Sequence, residues 1–269
     1  MEDGAVALSM ALYNKKNLLV LDLNGNKIMP GGCIAICKSI MAHTTLRELS
    51  LSHNFIGPDG AKSLGKVLTN KKYITELWLS MNGIFSEGAV AIGEALKDKK
   101  YLEVLVLKKN EINVQGIRAL KDVLNGSKTI KELNLAGNSI GDEGAQIVTD
   151  ALKSKQNQQL TYLALSDNKI TSQGAKHVAS LIQKCDSLTE LYLANNDIDN
   201  EGAKALVKAI KERADFKNID LDNNKFSGET ITELFQILPL SKLNLTKNVL
   251  TDSQVEPLAQ QIKLNKSLT

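Results

Sequence analysis

The chain has 269 residues, 43% hydrophobic but only 4% aromatic, so its core has to be aliphatic; 33 basic against 30 acidic side chains leave a net charge of +3. That near balance, spread along the chain, excludes the electrostatic footprint of a nucleic-acid or anionic-membrane binder. Three cysteines, Cys33, Cys37 and Cys185, are too few and odd in number for a secreted disulfide scaffold and suit a reducing, cytoplasmic compartment, and no run approaches the roughly 18 apolar residues of a membrane span.

Residues 1–17 enter in mid-unit. The stretch "EDGAVALSMAL" predicts a helix without a strand before it, and Glu2 and Asp3 stand where a signal peptide would carry lysines. From Leu18 onward the pattern L-x-x-L-x-L-x-x-N-x-I recurs, starting at Leu18, Leu46, Ile74, Leu102, Ile130, Leu160, Leu188, Phe216 and Leu240, with a tenth start at Leu268. Seven of the nine spacings are 28 residues; "KSKQNQQ" lengthens one to 30 before Leu160 and "ILPL" shortens one to 24 before Leu240. The asparagine is present in every unit, from Asn26 through Asn54, Asn82, Asn110, Asn138, Asn168, Asn196 and Asn224 to Asn248.

Within a unit, x-L-x-L-x has the period of two of a short strand. The second half has helical spacing: "GAQIVTDAL" places Ala145, Val148, Ala151 and Leu152 on one stripe. Strands of successive units pair at about 4.8 Å, whereas helices need roughly 8 to 10 Å between axes, so the stack must bend with strands inside and helices outside. The asparagine, where the chain leaves the strand, is placed to satisfy loop backbone groups that water cannot reach. A glycine opens each helix from Gly32 to Gly202, for close approach of the turn to its neighbour; Thr230 and Gln254 replace it later, where Pro239 and Pro257 also appear. The chain is therefore expected to be a single array over 1–269, with a partial unit over 1–17 and degenerate terminal units over 216–269. Its broken units at both ends fit a segment of a longer protein or unusual caps.

On these positions the sequence resembles the ribonuclease-inhibitor type of leucine-rich repeat over essentially its whole length. The resemblance implies an α/β solenoid, a horseshoe of about nine repeats of 28 residues, with parallel strands on the concave face and helices on the convex face. Similar repeats occur in the sensing arrays of NOD-like immune receptors and in effectors of intracellular bacteria. Ribonuclease inhibitor itself is less similar, since its repeats alternate between two lengths and are rich in cysteine.

Three chemical motifs are weighed and set aside. "GAKSLGKV" (Gly60 to Val67) nearly spells a phosphate-binding loop, but Val67 stands where Ser or Thr must reach magnesium, and the stretch falls on a helix. Cys33 and Cys37 share a helix face, yet Cys33 occupies the small-residue position and no histidine joins them, so packed thiols are expected rather than metal ligands. Asp22, Ser50 and His53 could meet on adjacent strands, but an open sheet offers no shielding and no oxyanion donors. No cofactor, metal or small-molecule substrate is implied, and the expectation is a protein that is not an enzyme. Lysines at the helix ends, among them Lys71, Lys72, Lys99 and Lys100, are expected to be solvated charges that complement helix dipoles.

Function is sought at positions the core does not select, the third, fifth, seventh, eighth and tenth of the motif. In the first half these supply His53, Phe55, Trp78, Met81, Val106 and Lys108; in the second they supply Tyr162, Tyr192, Asp220 and Asp222. The chain's single tryptophan is thereby placed on an open sheet face, and Trp and Tyr on a rigid scaffold are what interface hot spots are made of. Only three arginines are present, none at the concave centre, which argues against a bidentate phosphate or carboxylate reader. The expected function is a non-catalytic scaffold that binds another folded protein on its concave face. The 30 lysines to 3 arginines favour a bacterial effector, acting in the host cytosol, that occludes an enzyme. The alternatives are the ligand-sensing segment of a NOD-like receptor and a GTPase activator of the Ran-activating type, the last by fold analogy alone.

Overall fold

The protein is described from a computed structural model, which covers residues 2–153, 158–213, 215–227, 230, 233 and 241–248. Gln254, Pro239, Pro257 and the tenth unit at Leu268 lie outside the described residues.

Helices and strands alternate along the chain. The first half runs α1 (Glu2–Leu12), β1 (Val20–Asp22), α2 (Met29–Ile40), β2 (Glu48–Ser50), α3 (Gly57–Thr69), β3 (Glu76–Trp78), α4 (Phe85–Leu96) and β4 (Val104–Val106). It continues with α5 (Val114–Gly126), β5 (Glu132–Asn134), α6 (Gly141–Leu152), β6 (Tyr162–Ala164), α7 (Ser172–Ile182), β7 (Glu190–Tyr192), α8 (Asn200–Lys211), β8 (Asn218–Asp220) and β9 (Lys242–Asn244).

The strands form one open nine-stranded sheet in sequence order, every pair parallel. Register follows the leucines: Leu49, Leu77, Leu105 and Leu133 are successive partners. It survives both irregular spacings, since Leu133 pairs with Leu163 and Ile219 with Leu243. Length variation thus leaves the strand register unchanged, because a one-residue slip would turn every core leucine to the other face.

Strands β1 to β7 each contribute a central leucine to the core, β8 contributes Ile219, Leu243 of β9 packs partly buried against it, and each helix contributes one stripe. In α6 the buried residues include Ala145, Val148, Ala151 and Leu152, the stripe read from the sequence. The helix-opening glycine is steric: a Cβ at Gly88 would meet the Ala61 side chain at 2.7 Å, and α3 and α4 could not pack as they do. The "GAKSLGKV" stretch lies within α3 with Gly60, Ala61, Leu64, Gly65 and Val67 buried, so it is a packed helix and cradles no phosphate. Cys33 and Cys37 are buried free thiols 4.0 Å apart.

The asparagines form the expected ladder. Asn54 Oδ1 accepts from the Asn26 and Ile28 amides at 2.9 and 3.3 Å, while its Nδ2 donates to the Leu23 and Leu51 carbonyls, both at 2.8 Å. Asn82 and Asn138 repeat this pattern one and three units on. The ladder is interrupted once among the described residues. Asn168 Oδ1 is buried without a partner, at the unit boundary where the spacing is 30.

The residue just before each ladder asparagine has a left-handed backbone throughout, from Gly25 (φ 72°) through His53, Met81, Lys109, Gly137, Asp167, Asn195 and Asn223 to Lys247. Four of the nine are Gly or Asn, the types that take this conformation most readily. His53 and Met81 therefore occupy a position that the turn constrains, not one left free by the fold.

Candidate functional site

Around each buried strand leucine, the residues before and after it point to the concave side. The row before it reads Val20, Glu48, Glu76, Val104, Glu132, Tyr162, Glu190 and Asn218; the row after it reads Asp22, Ser50, Trp78, Val106, Asn134, Ala164, Tyr192 and Asp220. The ten residues nominated from the sequence fall into three sets on this grid.

One residue is floor. Val106 lies in register with Trp78 but is only 3% exposed, and with Ala136, Ala164 and Ala194 it forms a buried apolar strip on the concave side. A residue so covered has little surface to offer a partner, so Val106 supports the face and does not contact across it.

Six residues are face. Trp78 is half-buried, and its indole Nε1 donates to Glu76 Oε2 at 3.0 Å, which fixes the ring over the sheet. Glu76 and Trp78 line a depression of about 320 Å³ with Asp22, Asn24, Glu48 and Ser50. Tyr162 and Tyr192 pack with ring centroids 4.8 Å apart, a contact made possible because the register partner of Tyr192 is the small Ala164. The Tyr192 hydroxyl donates to Glu190 Oε2 at 2.9 Å. Burial first, and then Glu190, push the Tyr192 phenol above its ordinary value. A second depression of about 340 Å³ brings Lys108, Tyr162, Tyr192, Asp220 and Asp222 together.

His53, Phe55 and Met81 are rim. All three are exposed, with positive φ, on the turns that leave the strands, and they line neither depression. Phe55 is 58% exposed.

The acidic row is the feature that the sequence-based nomination left out. Glu48, Glu76, Glu132 and Glu190 recur at the third motif position, in "REL", "TEL", "KEL" and "TEL", so the signal was present in the repeat itself. Burial, followed by the charges of Glu76 and Glu190, holds the Glu132 carboxyl above the usual carboxylate range.

The conceivable hydrolytic trio does not assemble. Ser50 Oγ donates to Asn24 Oδ1 at 2.6 Å and Asp22 accepts the Asn24 amide at 3.0 Å, so both are committed to Asn24 and neither is joined to His53.

A second exposed aromatic pair, also absent from the nomination, lies on the loops that leave the helices. Tyr73 and Tyr101 stack at 5.9 Å with Lys72 beside Tyr73, near a depression lined by Lys97, Lys99, Lys100 and Lys128. The helix-end lysines are not uniformly solvated. Lys71 is fully buried and donates to the Ile40 and Met41 carbonyls at 2.7 and 3.1 Å, and burial pushes its ammonium down to about 8.

Repeat, register and ladder together define a leucine-rich-repeat solenoid. Five stretches, residues 14–37, 42–65, 126–146, 156–179 and 184–207, match the leucine-rich-repeat family model. No curated protein sequence matches the chain. Similar solved structures include the actin-binding site 2 of leiomodin-1, with 19% identity, 56% of this chain and 90% of that one covered, and a TM-score of 0.41. The C-terminal domain of tropomodulin from Caenorhabditis elegans matches at 16% identity, 55% and 90% coverage and a TM-score of 0.45. A plant ice-binding protein matches at 18% identity, 70% and 53% coverage and a TM-score of 0.44. Among the described residues, no helix is long and apolar enough to cross a membrane.

Proposed function

We propose that this solenoid is a non-catalytic scaffold that binds another folded protein on its concave face, with Trp78 as the anchor. The observation that carries this is the placement of the aromatic side chains. The single tryptophan and two of the five tyrosines stand half-buried on the sheet face, where core packing does not require them. Each is held by a neighbour, Trp78 by Glu76 and the two tyrosines by one another. Rings already fixed in place lose little freedom on binding, which is what makes such residues efficient contacts. Nine strands at about 4.8 Å span roughly 40 Å, wide enough to seat a small domain.

Within its class we assign the chain to the ribonuclease-inhibitor type, on the full helix in each described 28-residue unit, and to a cytosolic setting, on its few and odd cysteines. A bacterial effector that covers an enzyme's active site would use this same face. The Ran-type alternative rests on fold analogy alone.

A photo-crosslinking amino acid incorporated at Ser80 or Ser166 on the concave side, at Glu94 on the helices, or at Tyr101 on the helix-exit loops, with the protein then added to cell extract, tests the assignment. A discrete protein adduct from the concave positions alone is expected. Adducts from Glu94 or Tyr101 alone would move the interface to that surface. Trp78→Ala should then weaken the captured partner roughly thirtyfold or more, with little change in melting temperature.

A further inference from the structure

The concave face has a charge of its own. In the two rows beside the strand leucines of β1 to β8, Glu48, Glu76, Glu132, Glu190, Asp22 and Asp220 are acidic and no residue is basic. Lys108 and Lys109 border the second depression. The whole chain carries +3, so this face is negative against a positive background. The acids are also not scattered. Glu76 is bonded to the indole of Trp78 and Glu190 to the hydroxyl of Tyr192, the same arrangement two residues apart on β3 and again on β7. In each pair one carboxylate oxygen is engaged by the aromatic group while the other is left for a partner, and the ring face is presented beside it. A carboxylate next to an aromatic face is complementary to an ammonium or guanidinium, which gains a charge-assisted hydrogen bond from the first and a cation–π contact from the second.

We propose that the concave face takes a cationic polypeptide surface, one that seats a lysine or arginine at Glu76/Trp78 and a second at Glu190/Tyr192. Four strand steps separate the pairs, so the two cations stand about 19 Å apart, near six residues of extended chain. Glu132 lies between them on β5, its carboxyl held up first by burial and then by the charges of Glu76 and Glu190, the second of which a bound cation would relieve. Asp222 Oδ1, buried on the lining of the second depression with no hydrogen-bond partner among the described residues, is a further acceptor left over on this face. The inference rests on the concave-binding function proposed above and names the partner's chemistry.

The single tryptophan makes the test direct, because intrinsic emission reports from one of the two pairs. A twelve-residue peptide alternating arginine and serine, a glutamate and serine counterpart and an all-serine peptide are titrated while Trp78 emission and heat are followed. The arginine peptide should change the emission and bind at least tenfold more tightly at 50 than at 300 mM salt. The paired substitution Glu76→Gln with Glu190→Gln should weaken it at least tenfold, whereas Glu94→Gln on the helices should leave it unchanged.

No binding of the arginine peptide, or equal binding to the paired variant, overturns the inference. Binding of the glutamate or all-serine peptide that is lost in Trp78→Ala also overturns it, while leaving the concave interface intact. Binding of the arginine peptide that is indifferent to Trp78→Ala and to the paired variant removes both. The variants' circular dichroism and melting temperatures separate a lost site from a lost fold.

Discussion

Two turns in every unit face the same physical problem and solve it differently. At the exit from the strand, loop amides and carbonyls are shut away from water, and one residue type serves every described unit: an asparagine whose amide donates and, except at Asn168, can also accept from the neighbouring unit. At the exit from the helix, the last carbonyls of the neighbouring helix need donors, and the residue three before the first leucine of the motif varies freely. It is Lys71 and Lys99 in two units, donating to Ile40 and Met41 and to Thr69; in the last full unit it is Arg213, which donates to Ile182 and Cys185 at 2.8 and 2.9 Å. The same position holds Cys185, which reaches the Leu160 carbonyl at 3.9 Å, and Ser127, which instead accepts from the Ile130 amide at 3.2 Å. In the first unit it is His43, fully buried with neither ring nitrogen hydrogen-bonded among the described residues. The difference teaches that identity is constrained where one group must accept and donate within a fixed geometry. Where the groups to be served differ from one unit to the next, chemistry drifts.

Four measurements would break or sharpen that contrast. Asn110→Ala should be the most damaging. It leaves the Asn82 amide without its acceptor and takes one of two donors from each of the Leu79 and Leu107 carbonyls, which Asn82 and Asn138 still serve, at roughly 1 to 3 kcal/mol for the orphaned amide and about as much again for the two lost bonds, so roughly 2 to 6 kcal/mol together. A denaturant titration showing under 1 kcal/mol would mean that water replaces the ladder.

Arg213→Ala comes next, at about 2 to 4 kcal/mol, since several buried carbonyls lose a shared donor. If donors of any shape suffice at this turn, Arg213→Lys should recover much of the loss. If it behaves like alanine, the planar fork is required, and the helix exit is as selective there as the ladder.

Lys71→Met should show itself through pH. The folded ammonium is pushed down to about 8 from 10.5, so between those values the unfolded chain holds a proton that the folded one lacks. Stability of the parent protein therefore rises with pH across that window. The variant lacks this rise, so the parent should gain on it from pH 8 to 10.5 in urea titrations. A constant difference would show that Lys71 titrates normally. The smallest effect belongs to Glu132→Gln, which relieves crowding with Glu76 and Glu190 on a partly solvated face. It should change stability by a few tenths of a kcal/mol in the stabilising direction at pH 7, whereas Leu133→Ala, one residue on and fully buried, should cost roughly 2 to 5 kcal/mol.

The candidate site was partly legible. Trp78, Tyr162, Tyr192, Lys108, Asp220 and Asp222 could be placed on the concave face because period-two alternation settles which way a strand residue points. Val106 could not be distinguished from them, since alternation assigns direction but not cover, and Val106 is closed over on its own face. His53 and Met81 sat at positions counted as free, yet the turn there is left-handed, a backbone requirement that tolerates several side chains and so leaves a weak trace in one sequence. The acidic row was visible as a repeated glutamate but lost in a net charge near balance, because opposite charges on other surfaces cancel in a sum and not in space.

By itself the sequence determined the architecture: unit boundaries, parallel strand order, register, the ladder and the steric role of the helix-opening glycine. Each of these follows from contacts between a unit and its immediate neighbour, and an interaction repeated every 28 residues writes the same constraint many times over. Only the tertiary structure decided what depends on a particular pair of units. It paired Tyr162 with Tyr192, bound Glu76 to Trp78, buried Lys71 under the end of α2 and left Asn168 Oδ1 without a partner among the described residues. Such contacts occur once, set by local geometry between two specific units, and a constraint stated once has no period from which it can be read.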